Sequence, residues 1–435
     1  MIRRQTLVDL LPGLLVVAAV CVLAPRLAVP STYMFDEVYH AYTAGQYAVG
    51  NADAYVWNTY APREGVAYMW NHPPVGVLAI TASILIWGDV PVGWRFASAL
   101  FGAAGIALVY VLGARMLGDR AAAAIGASLL LLDGLYFVQS RIGMLDIFGT
   151  VFSFVALGCL YGYWTAPPDR AARWLASTGI ALGLALATKW NAAYVALLCG
   201  LVAVGRAAGL ARRALSAPDD GLARAGLRSH LVWVPIGLGL LPLLVYVAAY
   251  APFFAVGHGA DEWIELQKQI YYYHTHLEAT HTYQSRWWQW PLALRPVWYW
   301  LGKGGDHVAR IYGAHNPFLA WLYVPAVLWL LARAWRTRRA LAGVLALGFF
   351  GQWLPWALVP RIAFAYHFLP AVPWGALSVG ALVAWAWRRG GACRAIAALY
   401  VAIVVGAFVF FYPIWTGVPL TERAFEWRMW FPSWR

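Results

Sequence analysis

Met34-Phe35-Asp36-Glu37-Val38 sets two adjacent carboxylates just beyond the apolar run from Leu7 to Val29, at the point where a first membrane-spanning helix would surface. Acidic side chains at such a boundary are costly unless they are paired or used, and they mark functional sites by default. For one such pair, a solvated loop is the plain alternative. Here the following loop is aromatic and polar and closes on Asn71-His72-Pro73-Pro74, and cations recur at the same face of later helices. That combination points to a catalytic site at a membrane surface.

The rest of the chain supplies the frame. Its 435 residues are 62% hydrophobic and only 12% charged, with apolar runs along almost the whole length. This excludes a soluble globular or a disordered protein and implies an all-α polytopic membrane protein. The first run lacks a small-residue cleavage site and follows Arg3 and Arg4, so it reads as a retained span with a cytoplasmic N-terminus. The net charge of +13 does not imply nucleic acid, because most arginines lie in short loops between spans, where they set orientation. Cys21, Cys159, Cys199 and Cys393 lie in apolar stretches without pairing or metal-ligand spacing and read as buried thiols.

A span needs roughly 20 apolar residues, and about eleven runs qualify: 7–29, 94–115, 120–138, 143–164, 172–189, 190–206, 231–251, 317–335, 340–358, 362–387 and 394–413. The run 74–87 is shorter and begins with two prolines. Treating it as an interfacial helix leaves every arginine cluster, including Arg333, Arg336, Arg338 and Arg339, on the cytoplasmic side. Residues 30–93 and 252–316 then form two long extracytoplasmic segments of one domain covering 1–435, and the C-terminus shares their side. The segment 207–230 reads as a solvated cytoplasmic linker.

With this topology Arg141, Lys189 and Arg361 emerge at the outer ends of different helices, level with the acidic pair. Singly, each would read as a side chain snorkelling to headgroups. Three together suit a phosphate-bearing lipid donor, facing a carboxylate that deprotonates an incoming hydroxyl. A polyprenyl sugar phosphate carries its own leaving group, so cations replace a general acid, and one base suffices for direct, inverting displacement. Asp36 is the candidate base. Glu37 is left to orient the acceptor, hold Asp36 or contact the sugar. Asp146 lies five residues beyond Arg141, about 140° around a helix, so it serves either a helix pairing or a substrate contact. The histidines between His258 and His315 lack the spacing of a metal site. Tyr283 to Pro291 reads as an interfacial aromatic belt, with some rings free to stack on sugar or peptide.

Phe35-Asp36-Glu37, His72-Pro73-Pro74 with Gly76, Gln139-Ser140-Arg141 with Leu145-Asp146, Lys189-Trp190, Ser285-Arg286-Trp287-Trp288 with Trp290-Pro291, Arg295 to Tyr299, and Tyr366-His367-Phe368-Leu369-Pro370 follow in an order that resembles the protein O-mannosyltransferases. The resemblance implies a GT-C glycosyltransferase fold with about eleven spans and interfacial helices in the first outer loop. It also implies inverting transfer of mannose from polyprenyl phosphate mannose to Ser or Thr hydroxyls of secreted proteins, with neither metal nor cofactor. It further implies that Asp36 and Glu37 are the catalytic pair, which agrees with the charge argument that makes Arg141, Lys189 and Arg361 the candidates for contact with the donor phosphate. His72, Asp146, Arg286, Trp287, Trp290, Tyr366 and His367 are the substrate-binding candidates. The segment 252–316 is too short for the soluble MIR domain of fungal and animal members, as in a minimal bacterial form acting on proteins leaving the Sec secretion channel. The alternatives are a GT-C transferase moving a pentose or amino sugar to a lipid or glycan, and a lipid-phosphate transporter. The inverted repeats expected of a transporter are missing from the sequence.

Overall fold

A computed structural model describes residues 2–217, 219–304 and 306–435; the side chains of Arg3 and Arg4, assigned above to the cytoplasmic end, lie outside the described residues. Helix α1 (Ile2–Leu23) delivers the chain to the first of the two long connecting segments, which holds α2 (Glu37–Ala48) and the short apolar α3 (Val75–Trp87). Then follow α4 (Pro91–Leu117), α5 (Arg120–Leu131), α6 (Gly134–Gln139), α7 (Asp146–Thr165), α8 (Pro168–Leu186), α9 (Ala193–Ser216), α10 (Gly221–Val234) and α11 (Leu241–Ala248). The second long segment carries α12 (Ala251–Ala255), α13 (Ala260–His276) and an antiparallel hairpin of β1 (Val297–Gly304) and β2 (His307–Gly313). Helices α14 (Pro317–Thr337), α15 (Arg339–Trp353), α16 (Val372–Arg389) and α17 (Gly391–Thr416) precede β3 (Leu420–Thr421), which adds to β2, and α18 (Glu422–Glu426).

Among the described residues, eight helices are long and apolar enough to cross a membrane, while Leu10–Leu23, Val75–Trp87 and Arg120–Leu131 are shorter apolar helices. In hydrocarbon a backbone must satisfy its own hydrogen bonds, which is why the apolar runs become helices. Small residues let them approach: a Cβ on Gly380 of α16 would stand 2.3 Å from the Gly126 nitrogen of α5. This is the close contact that glycines supply where water gives no driving force.

Three expectations change. The run 120–138 is not one helix. Asp133 interrupts it, capping α6 by accepting the Tyr136 N–H, and its carboxylate also holds His315 (2.9 Å) and the Tyr323 hydroxyl (3.0 Å). The linker 207–230 is mostly helical, because its Ala, Leu and Arg are good helix formers; α9 runs to Ser216 and α10 starts at Gly221. Of the four cysteines, Cys159 and Cys199 are buried, whereas Cys21 is exposed and Cys393 half-buried. The hairpin and its third strand add a small sheet to an otherwise helical fold.

Candidate active site

Asp36 and Glu37 are neighbours with opposite surroundings. Glu37 is fully buried and forms a two-pronged pair with Arg95, Nε to Oε1 at 2.7 Å and Nη2 to Oε2 at 2.8 Å. It also accepts the N–H of Met34 and of Gly143. Arg95 spends its remaining donors on the carbonyls of Leu27, Pro30 and Thr32. Glu37 therefore knots the end of α1, the start of α2 and the α6–α7 turn. Removing one partner of a buried pair costs about 3–5 kcal/mol. Gly143 is needed for this approach, since a Cβ there would come within 3.0 Å of the Trp94 carbonyl oxygen and 3.3 Å of Glu37 Cγ.

Asp36 is presented by this knot. Phe35 before it has φ 48°, a left-handed conformation that costs about 1–3 kcal/mol in a bulky residue unless its surroundings hold it. Its ring is held by Tyr299 (5.0 Å between centroids) and Tyr366 (6.3 Å). The Asp36 carboxylate has no hydrogen-bond partner among the described residues and lies on the wall of a cavity of about 610 Å³. Burial pushes its carboxyl up to about 7; the Lys189 charge pulls the other way and the Asp146 charge adds to the rise.

The same cavity gathers His40, His72, Asp146, Lys189, His274, Arg361, Tyr366 and His367. Lys189, in the turn between α8 and α9, donates to Asp146 Oδ1 at 2.8 Å; Asp146 Oδ2 and His72 Nδ1 have no partner among the described residues. Of the two alternatives open for Asp146, a pairing with another segment is present, and it sits on the cavity wall. Arg361 Nη1 donates to His274 Nδ1 at 2.6 Å, and His274 Nε2 donates to the Asn71 carbonyl, which fixes that ring as a neutral tautomer. Burial and the Arg361 charge lower His274 to about 4, and burial with the Lys189 charge lowers His40 to about 3. His72 falls well below the usual histidine range for the same reasons. A second cavity of about 260 Å³ shares His72, Lys189, His274, Arg361 and His367 and extends past Trp190, Tyr194, Trp356 and Val359. Among the described residues no three His, Cys, Asp or Glu are grouped to hold a metal ion.

Other candidates lie elsewhere. Arg141 turns from the cavity and donates to the Leu23 carbonyl at the end of α1, with Phe137 under its guanidinium at 5.0 Å. A cation there suits the negative end of the helix. Arg286 is exposed and off the cavity. The Trp287 carbonyl accepts the Trp353 indole N–H, and Trp290 is buried, donating to Ser285 Oγ and stacking near His367. This aromatic stretch braces the cavity from behind instead of lining it. Gln139 also serves as a brace, donating to the Tyr299 hydroxyl at 2.6 Å and so joining two motifs far apart in sequence. Sequence reasoning missed Arg95, His40 and the role of His274. The only signal for Arg95 was a charge just inside an apolar run.

Residues 13–256 match the family described as dolichyl-phosphate-mannose-protein mannosyltransferase, and residues 260–434 match the C-terminal four TMM region of protein-O-mannosyltransferase. Among curated proteins, the chain is similar to the polyprenol-phosphate-mannose–protein mannosyltransferases of Mycolicibacterium smegmatis (29% identity, 84% of this chain and 82% of the relative) and Mycobacterium tuberculosis (29%, 93% and 87%). Among solved structures it resembles the Saccharomyces cerevisiae protein O-mannosyltransferase Pmt1-Pmt2 complex bound to the sugar donor, with a TM-score of 0.81 at 15% identity over 98% of this chain and 92% of that one. ArnT from Cupriavidus metallidurans bound to undecaprenyl phosphate follows at 0.57 and 17%, over 92% and 69%. The fold is that of the membrane GT-C glycosyltransferases.

Proposed function

This chain belongs to the dolichyl-phosphate-mannose-protein mannosyltransferase family, and from that premise we propose that it moves mannose from polyprenyl phosphate mannose to Ser or Thr hydroxyls of secreted proteins, with Asp36 as the general base. The observation that carries the assignment is an unpartnered carboxylate, raised to about 7, on the same cavity as Lys189 and Arg361. A base with a pKa near the working pH combines availability with driving force.

The chemistry follows from charge. Asp36 takes the proton of the acceptor hydroxyl as that oxygen attacks the anomeric carbon from the face opposite the phosphate. The C–O bond to phosphate breaks, and the departing polyprenyl phosphate gains negative charge beside Lys189 and Arg361. Asp146 aims Lys189, and the neutral His274 aims Arg361 without adding a competing charge. Glu37 acts as a positioning residue through its pair with Arg95. His72 and Asp146, each with an unpartnered polar atom on the cavity wall, are the sugar contacts the geometry favours; Tyr366 and His367 complete the wall. The narrower cavity beside Trp190, Tyr194 and Trp356 supports a path for the first prenyl units. The arginine-rich ends of α14 and α16 support an extracytoplasmic orientation for the Asp36 cavity and both long segments, which suits acceptors leaving the secretion channel.

The test is transfer of radiolabelled mannose from purified polyprenyl phosphate mannose to a Ser/Thr-rich peptide in washed membranes, with the anomeric configuration of the product read by linkage-specific mannosidases. Inverted mannosyl peptide is expected. Transfer of a pentose or amino sugar instead, or retention of configuration, overturns the reading.

A further inference from the structure

A cavity of about 630 Å³ opens at the end of the molecule opposite the Asp36 site. Helix α4 starts at Pro91 near that site and runs 27 residues, about 40 Å, to Leu117 on the wall of this 630 Å³ cavity. Its mouth carries Arg333 and Arg336 at the end of α14, Arg338 in the following turn and Arg388 at the end of α16. Four guanidinium groups face a single carboxylate, Asp119, and Arg388 takes it at 2.6 Å. Arg338 is anchored through the Leu117 carbonyl. Arg333 lies over the Trp329 ring at 5.2 Å, and Arg336 has no bonded partner among the described residues. Below the arginines the walls become apolar: Trp329 and Trp385 meet at 5.4 Å between centroids, with Leu330, Leu341 and Ala381 beside them. From Arg336 back to Trp329 is seven residues of helix, about 10 Å.

We propose that this cavity is a binding site for an anionic phospholipid of the cytoplasmic leaflet. Arg333, Arg336 and Arg338 receive the headgroup phosphate, and the glycerol and upper acyl chains run down the Trp329–Trp385 wall. A free phosphate would use only the arginine tier and leave the apolar floor unfilled, whereas a phospholipid matches both. Basic pockets between membrane helices on this side select anionic headgroups, each arginine strengthening binding about fivefold. The site is distinct from the donor cavity and rests on the orientation proposed above, not on the transfer reaction.

The test uses full-length protein in detergent, titrated with short-chain phosphatidylglycerol, phosphatidylcholine or inorganic phosphate and read by native mass spectrometry. Wild type should retain phosphatidylglycerol in preference to phosphatidylcholine and be unaffected by inorganic phosphate. The double variant Arg333→Gln/Arg336→Gln should bind it about thirtyfold more weakly while keeping its melting temperature in lipid-free detergent. Arg212→Gln/Arg213→Gln, at the end of α9 outside the pocket, should bind as wild type does. Equal retention of the two lipids, competition by inorganic phosphate, or equal losses in the two double variants would each overturn the proposal.

Discussion

Lowering the pH from 8 to 6 should cut kcat/KM for mannosyl transfer about tenfold. Asp36 must be ionised to accept a proton, and burial holds it near 7. About nine-tenths of the enzyme then carries the base at pH 8 and about one-tenth at pH 6, whereas an ordinary aspartate would be ionised throughout. The donor is a phosphodiester and stays a monoanion over this range. His40 and His274 are held at about 3 and 4 and His72 is also depressed, so these rings do not titrate in that window. The charge of Lys189 lowers the Asp36 value. Replacing it by methionine should therefore move the acidic limb to higher pH while reducing the plateau. The assay is initial-rate transfer to a peptide at subsaturating donor and acceptor between pH 5.5 and 8.5, repeated with Asp36→Asn, whose residual rate should be flat. A flat wild-type profile, or a limb that survives in Asp36→Asn, refutes the reasoning.

Other expectations follow from the same geometry. Arg95→Met leaves the Glu37 carboxylate buried without its cation and should cost about 3–5 kcal/mol, seen as loss of folded protein in fluorescence-detected size exclusion; undiminished yield would remove the knot. Arg361→Gln should raise the donor KM by about one to two orders of magnitude, the worth of a hydrogen bond to a charged group. Arg141→Gln, altering a group that caps α1, should lower the melting temperature and leave that KM within about twofold, and the reverse pattern would restore Arg141 to the phosphate site. A cysteine at position 337 should resist an impermeant thiol reagent in intact cells, and labelling there would invert the proposed orientation.

Much of this architecture is legible in one dimension because the bilayer makes it so. Apolar length marks the membrane helices, arginine asymmetry supplies the proposed direction, and both put Asp36, Lys189, Arg361 and His72 near one level. Height is not azimuth, however. Arg141 stands at the expected level yet points to the end of α1, and the Trp287–Trp290 stretch braces the cavity that its aromatic composition invited it to line. Arg95 was hidden for a related reason: a lone arginine inside an apolar run looks like an interfacial anchor until its partner, 58 residues away, is known. Asp133 is a lone charge inside the apolar run 120–138, and its bonds to His315 and Tyr323 join residues more than 180 positions apart, which no local pattern encodes.

The central claim is that Asp36 deprotonates the acceptor, and the most direct measurement is single-turnover transfer by Asp36→Asn beside wild type, with donor binding measured on both. Asparagine keeps the size and removes the base. The account predicts unchanged donor affinity and a rate lower by about 10² to 10⁴. A variant that transfers mannose within a few-fold of wild type would contradict it.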